Sequence, residues 1–393
     1  MRIAVAMSGG VDSSLAAALL LEAGHEVVGL FMRMVGVDAP PPFVPSDPAD
    51  ARRVAGHLGI PFEVVDFTRE LDALVAYFCS EYDAGRTPNP CVLCNKWNKF
   101  GRLLAHARRL GAERLATGHY ARVSLAGTEA SEAECPTGAK AEGGRRNAEQ
   151  RPPASGPAPS TLDPRPSTLG TPCGRWLLRR ASYRPKDQSY MLFGLQQEQL
   201  ARALFPLGDL RKEDVRRMAR DRGLPAHERE ESQDICFLPD RDYVALLRTR
   251  IGGRIQPGPI LDTAGRVLGT HPGCQCFTIG QRRGLRVAAG TPRYVVRIDR
   301  AANAVVIGTK DELRRAEMLV SQVNWIAFDP PTTPIEASVQ IRYSHEPVPA
   351  LIEPLPDGGA RVAFRQPERG VAPGQAAVFY DDDLVLGGGW IEG

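Results

Sequence analysis

Residues 2–14 read RIAVAMSGGVDSS, and this stretch decides the fold. Arg2–Met7 is a short apolar run without alternation, the pattern of a strand buried on both faces of a parallel sheet. It runs into Ser8-Gly9-Gly10-Val11-Asp12-Ser13-Ser14, and then into an Ala/Leu-rich helix that Gly24 can end. Glycines between a strand and a helix let backbone N–H groups approach an anion, and the helix N-terminus adds positive partial charge. Ser13 and Ser14 can add hydroxyl donors, and Asp12 can hold Mg²⁺ against phosphates. The lysine of the usual P-loop is absent from the string, so transfer of a γ-phosphate is not the natural reading. A Gly-rich turn alone is weak evidence; the whole string directly after a buried strand is far more specific.

Working outward, strand-like and helix-like segments alternate over the first 125 residues. His25–Met32 (HEVVGLFM), Pro61–Phe67 (PFEVVDF) and Arg114–Thr117 read as strands. Asp47-Pro48 reads as cap and first helical residue before Ala49–Leu58. The expectation is an α/β domain with a parallel sheet covered on both faces. From Ala126 to Cys173 no Val, Ile, Met or aromatic residue occurs, so this segment reads as a disordered insertion, with Cys135 and Cys173 as bystanders. Structure resumes at Arg175–Arg180, and a polar helical stretch follows at Arg211–Gly223. From about Ile251 onward, short alternating segments such as RYVVRI, ASVQIRY and AAVFY are separated by Gly, Pro, Asn and Asp, an all-β texture.

Composition sets the limits. With 393 residues, two or three domains are expected. A chain with 43% apolar and 24% charged residues reads as soluble, and without an 18-residue apolar run it has no membrane span. No secretory signal is legible, so a reducing cytoplasm is expected. There, eight cysteines suggest metal or redox chemistry rather than a disulfide scaffold. The net charge of +3 decides little, because local basic clusters matter more to a polyanion.

Two cysteines stand out. GRTPNPCVLCN at Gly85–Asn95 leads into a basic amphipathic helix, Trp97–Arg109, so Cys94 is expected at or near a helix start where the dipole favours thiolate. The bland reading of Cys94 is a small buried hydrophobe. Cys236, in QDICFL, would by itself be read as core; its polar lead-in HEREESQDICFLP argues otherwise. Two distant thiols suit persulfide chemistry, one sulfur carrying the cargo and the other attacking the S–S bond. Cys274 and Cys276 read as packing or surface residues.

SGGVDSS looks like the loop of the ATP pyrophosphatases. Together with GLFM, GRTPNPCVLCNK, ATGHYAR, RPKDQSYML, SQDICF, GQRRGL, QIRYSHEP and PGQAAVFY, it gives a chain that resembles the tRNA-specific 2-thiouridylases over almost its whole length. The resemblance implies an adenine-nucleotide α-hydrolase-like parallel-sheet domain (1–195, with the insertion at about 126–173). A small central tRNA-contacting domain (196–250) and a C-terminal β-barrel domain (251–393) follow. It implies ATP with Mg²⁺ as cofactors, adenylation of the C2 carbonyl of a wobble uridine, and replacement of that oxygen by persulfide sulfur. Expected partners are tRNA and a persulfide carrier protein or cysteine desulfurase, with no membrane and a monomeric chain. Carried over by residue, Ala6, Met7, Ser8, Gly9, Gly10, Val11, Asp12 and Ser13 form the ATP loop, and Met32 and Gly118 line the adenosine site. Cys94 matches the nucleophile and Cys236 the persulfide cysteine. Asn89, Pro90 and Cys91 fall at the target base. Lys186, Asp187, Gln188, Arg342 and Tyr343, with His119 and Gln375, match tRNA contacts. The bland reading of any of them, taken singly, is a solvated side chain, as ready a reading as RNA contact for Arg342 or Lys186, whereas His119, beside Gly118 at a strand end, reads rather as a satisfied core or loop histidine.

One departure matters: many members carry Asp where this chain has Cys91. Cys91, Cys94 and Cys236 make three thiolates, so an iron–sulfur cluster is the alternative to a persulfide relay. Two other classes stay open. A PP-loop carbon–nitrogen ligase shares SGGxDS but would not need the cysteine pair, and a non-catalytic RNA-binding protein would leave the loop unexplained.

Overall fold

In the computed structural model of the chain, residues 1–35, 43, 46–127, 174–225, 235–238, 242–287 and 290–393 are described. The insertion expected at 126–173 falls outside them except for Ala126 and Gly127, as do Cys135 and Cys173.

The first unit runs β1 (Arg2–Ala6), α1 (Val11–Glu22), β2 (Glu26–Arg33), α2 (Ala49–Leu58), β3 (Phe62–Asp66) and α3 (Thr68–Asp83). One continuous helix follows: α4 (Pro90–Leu93), a π-helical segment Cys94–Leu103, and α5 (Leu104–Arg109). Then come β4 (Arg114–Ala116), the strands β5 (Ala121–Leu125) and β6 (Trp176–Arg180), α6 (Gln197–Leu200), β7 (Ala203–Leu204), α7 (Lys212–Asp221) and α8 (Tyr243–Ile251). Five strands form a parallel sheet in the order β3-β2-β1-β4-β7. Ile3, Ala4 and Val5 are fully buried, as a central strand covered on both faces requires. Helix α1 is apolar all round because it is covered twice, by the sheet and by α7. Its Val11, Leu15 and Ala16 share a cluster with Val215 and Ala219.

The sheet reaches past the expected boundary at 195, since β7 pairs with β4 through Leu115↔Ala203 and α7 packs on α1. A two-residue strand carries no periodicity, and α7 reads as polar because only one narrow face is buried.

Two β units follow. Strands β8 (Gly258–Asp262), β9 (Val267–His271), β10 (Tyr294–Asp299) and β11 (Ala304–Gly308) make a four-stranded sheet in the order β10-β11-β8-β9. Cys274 and Cys276 are buried in its core, as packing residues. Strands β12 (Arg314–Trp325), β13 (Ile335–Gln340), β14 (Val348–Pro354), β15 (Ala360–Arg369), β16 (Ala376–Asp381) and β17 (Leu384–Ile391) close into a six-stranded barrel. The ring runs β12-β15-β14-β13-β16-β17, and β17 returns to β12. Closure removes the free edges that an open sheet would expose. Strand β17 also carries a guest: Leu384 pairs with Arg179 of β6, so the β5–β6 hairpin extends this C-terminal sheet. Ala126, expected within the insertion, is instead buried in the barrel core.

Candidate active site

The carboxyl ends of β1, β2 and β4 point to one side, where open α/β sheets bind ligands. Ala6 ends β1 and Met7 is buried beneath the loop. Ser8, Gly9 and Gly10 turn the chain into α1, which starts at Val11 and has no side-chain cap. The loop is held from within. Ser13 Oγ accepts from the Ser8 N–H at 3.2 Å, while the Ser13 and Ser14 hydroxyls donate to Gly10 O at 3.1 and 2.8 Å. Met32 lies near the end of β2, partly buried. Gly118 lies past β4 against the first turn of α1. A Cβ there would come within 2.8 Å of Ser13 N and 2.9 Å of the Asp12 carbonyl carbon, so only glycine lets the two backbones approach this closely.

Asp12 does not stand open to a metal. Lys212 Nζ donates to its two carboxylate oxygens at 2.7 and 2.8 Å, and the Tyr120 hydroxyl donates to Oδ1 at 2.8 Å. Lys212 is only 3% exposed, and a buried ammonium demands such a partner. The cation missing from the loop string is thus supplied from α7, some 200 residues downstream. A Mg²⁺ ion at Asp12 has to compete with that ammonium. Sequence reasoning misses both Lys212 and Tyr120; Tyr120 lies inside ATGHYAR, whereas LRKEDVRR gives no sign of a buried lysine.

The thiols lie nearby. The helix carrying Cys94 begins at Pro90, so Cys94 sits one turn inside it rather than at its start. The expected lowering by the helix terminus is therefore overturned. Burial pushes the Cys94 thiol up, opposed by Lys99 and by the Asn98 amide, 3.9 Å from Sγ. Burial, with the neighbouring Cys94, pushes Cys91 up to about 11. From Cys94 the helix widens into π geometry, a rare conformation frequent at functional sites. The Gln199 side chain caps the Lys96 and Phe100 carbonyls of this segment at 2.8 and 2.9 Å.

Cys236 inverts its isolated reading. Phe237 and Leu238 are the core residues, Phe237 packing edge-on against Phe78, and they hold an exposed Cys236 above them. Its side chain meets solvent in otherwise crowded surroundings. Its thiol is raised by that crowding first, then by Cys94 and Cys91, with Lys99 opposing. The three thiols therefore share one neighbourhood. Lys99 also acts on His119, whose ring is held neutral: burial first, then Lys99, drop its pKa well below the usual value. His119 Nδ1 lies 2.7 Å from Thr117 Oγ1, and the residue directly follows Gly118. Phe205 meets the His119 ring edge-on at 6.1 Å and packs at 5.8 Å on Phe100 of the thiol-bearing helix, which brings loop, histidine and thiols together. Among the described residues no group of three His, Cys, Asp or Glu is placed to hold a metal ion.

The other carried-over residues divide into two kinds. Asn89 is buried beside the Tyr190 hydroxyl, which donates to Ala376 O at 2.9 Å. Pro90 is buried at the first helical position. Asp187 accepts from Ala181 N at 2.9 Å and Ser189 Oγ at 2.9 Å, and burial raises its pKa. Gln188 Oε1 accepts from Tyr120 N at 3.0 Å. Asp187 and Gln188 thus shape the loop from inside. Gln375 donates to Thr87 O and Pro88 O at 3.1 and 3.0 Å. Lys186 is partly exposed, while Arg342 and Tyr343 are exposed on the barrel.

Sheet and loop define a nucleotide-binding domain of the HUP class. The tRNA methyl transferase HUP domain matches residues 1–141 and 172–240. The PRC-barrel domain of the same group matches 246–309, and the aminomethyltransferase β-barrel domain 315–391. The tRNA-specific 2-thiouridylase MnmA of Geotalea uraniireducens is 45% identical over 401 residues, covering 100% of this chain and 95% of that protein. Its counterpart from Chloroflexus aggregans is 44% identical, covering 99% and 98%. The chain belongs to the tRNA-specific 2-thiouridylase family. Among solved structures, the U34-tRNA thiolase NcsA from Methanococcus maripaludis with its [4Fe-4S] cluster overlaps loosely (TM-score 0.32, 16% identity, 65% of this chain and 67% of that one). Among the described residues no helix is long and apolar enough to cross a membrane.

Proposed function

We propose that this chain is a tRNA-uridine 2-sulfurtransferase. One observation carries the reading: His119, beside the phosphate loop, meets Phe205 edge-on, and Phe205 packs on Phe100 of the helix that bears Cys91 and Cys94, so adenylation and sulfur delivery can occur in one site. ATP binds with its phosphates on Ala6–Ser13 and its adenosine toward Met32 and Gly118. The uridine C2 oxygen attacks the α-phosphorus, and pyrophosphate leaves. Lys212, held in place by Asp12, is positioned to take up charge on that leaving group. Mg²⁺, when bound, neutralises phosphate charge, and Asp12 is the carboxylate that would face it.

Cys236 carries the sulfur as a persulfide, loaded by a carrier protein or cysteine desulfurase. Its terminal sulfur attacks C2, and the C2–O bond breaks to release AMP. The Cys94 thiolate then attacks Cys236 Sγ. The S–S bond to the cargo breaks, its electron pair stays on the sulfur of 2-thiouridine, and a Cys94–Cys236 disulfide remains. A thiol reductant must reopen it each turnover. Asn89, Pro90 and Cys91 border the base. His119, Lys186, Arg342, Tyr343 and Gln375 are read as RNA contacts, with Asp187 and Gln188 ordering the loop that presents Lys186. Iron-free chain incubated with tRNA, ATP, Mg²⁺ and a persulfide donor should yield 2-thiouridine by nucleoside mass spectrometry, with pyrophosphate released. Pyrophosphate release coupled to an amine acceptor and no thionucleoside would favour the ligase reading; activity only in brown, iron-loaded protein would favour the cluster.

A further inference from the structure

A cavity of about 440 Å³ opens where the three units meet, distinct from the loop-and-thiol site. Thr87 comes from the nucleotide domain. Ile279, Tyr294, Lys310 and Leu313 come from the four-stranded unit and the link to the barrel. Arg342, Arg369 and Ala372 come from the barrel. Its size lies in the usual range for a small organic ligand. Its lining is of two chemical kinds: apolar walls and one tyrosine inside, and three cations whose charge is only partly offset by Asp311, 3.6 Å from Arg369. That combination suits a planar base with an attached phosphate.

Two details aim the cavity at RNA bound for the active site. Thr87 lines the cavity, is more than nine-tenths buried at 9% exposure, and holds a buried hydroxyl that has no protein partner. A buried hydroxyl left in that state costs stability unless something completes it. Gln375, also in the lining, bonds the carbonyls of Thr87 and Pro88. The next residues in the chain are Asn89, Pro90 and Cys91, which border the target base in the proposed function. One short strip of backbone therefore joins both places.

We propose that this junction cavity is a second nucleotide subsite. It takes an unstacked nucleotide adjacent to the target uridine in the same RNA loop, with phosphate on Lys310 and Arg369 and the base edge on Thr87. This rests on the sulfurtransferase reading and adds to it a means of splaying the loop: the neighbour is anchored while the uridine enters the reaction site.

The test uses the full chain and a synthetic anticodon stem-loop bearing the target uridine, with affinity read by fluorescence anisotropy at several salt concentrations. Lys310→Ala and Arg369→Gln should each weaken RNA binding about tenfold, the equivalent of one charge-assisted contact. Each should also flatten the log–log salt slope by about 0.7, as for a single-strand phosphate contact. Both should bind ATP as the wild type does. Thr87→Val should leave the melting temperature unchanged or higher, since it deletes an unpartnered hydroxyl, yet weaken RNA binding. A stem-loop abasic at one position beside the uridine should bind the wild type more weakly and lose little further with Thr87→Val. Unchanged affinity and slope in all three variants, while the wild type binds and thiolates RNA, would overturn the subsite alone. A wild type that binds no stem-loop would overturn the sulfurtransferase reading and the subsite with it.

Discussion

Cys94 and Cys236 should be sluggish nucleophiles in the free chain, because burial at Cys94 and crowding around the exposed Cys236 raise both thiols, and Cys94 adds to the shift at Cys236. A raised thiol pKa means that the fold favours the protonated form. Reactivity therefore climbs with pH, and the contribution to stability is lost as pH rises past the ordinary thiol value of about 8.5. Alkylation by iodoacetamide, followed by peptide mapping, should accelerate for both cysteines through an apparent pKa above that of free cysteine. Rates that level off near neutrality would show thiolates already formed. Cys94→Ser and Cys236→Ser should each abolish 2-thiouridine, whereas Cys91→Ser should keep part of the activity, because the relay does not use its sulfur covalently. Lys212 supports a separate expectation: Lys212→Met should cut tRNA-dependent pyrophosphate release about 10²- to 10³-fold, the usual effect of removing one preorganised charge from a transition state. A wild-type rate would reduce the lysine to a structural partner of Asp12. Of these residues, the loop was legible because strand, glycines and serines must be contiguous to bind phosphate. Lys212 was not, since nothing in KEDVRR distinguishes a buried lysine from a solvated one. Cys236 was legible as a thiol but not in its direction, which Phe237 and Leu238 decide by claiming the core.

Among the elements, α2 appears at the bounds read from its cap signals, and β2 and β3 fall within a residue of theirs. The π segment was hidden because its apolar spacing differs little from an α-helix over ten residues. The barrel showed as alternation, but not which strands closed the ring, since register depends on partners far away in sequence. The β5–β6 hairpin gives a direct test. Ala126 N donates to Arg175 O at 2.8 Å and Gly174 N to Ala126 O at 3.1 Å, so the two strands already meet at Gly127 and Gly174. Both glycines have positive φ, 86° and 81°, as the two central residues of a type I′ turn require. Excising residues 128–173 to join Gly127 to Gly174 should leave the melting temperature and thiolation rate nearly unchanged. A large loss of either would show that the excised stretch has a task of its own. Gly118→Ala should behave oppositely. Its methyl meets backbone of α1, so about 1–3 kcal/mol of stability and much of the ATP affinity should be lost together.

At the scale of the whole molecule, binding of tRNA should weaken steeply with salt, in proportion to the phosphates neutralised. Arg342→Ala should raise the dissociation constant for tRNA while leaving that for ATP unchanged; salt-independent binding would point to a small acceptor instead. The three units do not behave as beads on a string. Arg86, just ahead of the target-base strip, pairs with Glu81 and with Glu392, the residue that follows β17. Asp383, in the turn before β17, receives Arg122 and Arg179 of the hairpin at 2.6 and 2.7 Å, and its carbonyl accepts from Arg180 N at 2.8 Å. This stitching sets a timetable for biosynthesis. A ribosome delivers the hairpin roughly 200 residues before the strand it docks on, a wait of about 10–40 s at ordinary elongation rates. During that interval the β6 edge has no partner from β17, and the nascent nucleotide domain carries an adhesive margin that chaperones would have to guard. Stalled chains that stop short of Asp383 should consequently be captured by holdases and digested readily by protease. Emergence of β17, rather than completion of the nucleotide domain, would then mark the moment at which the enzyme becomes protease-resistant.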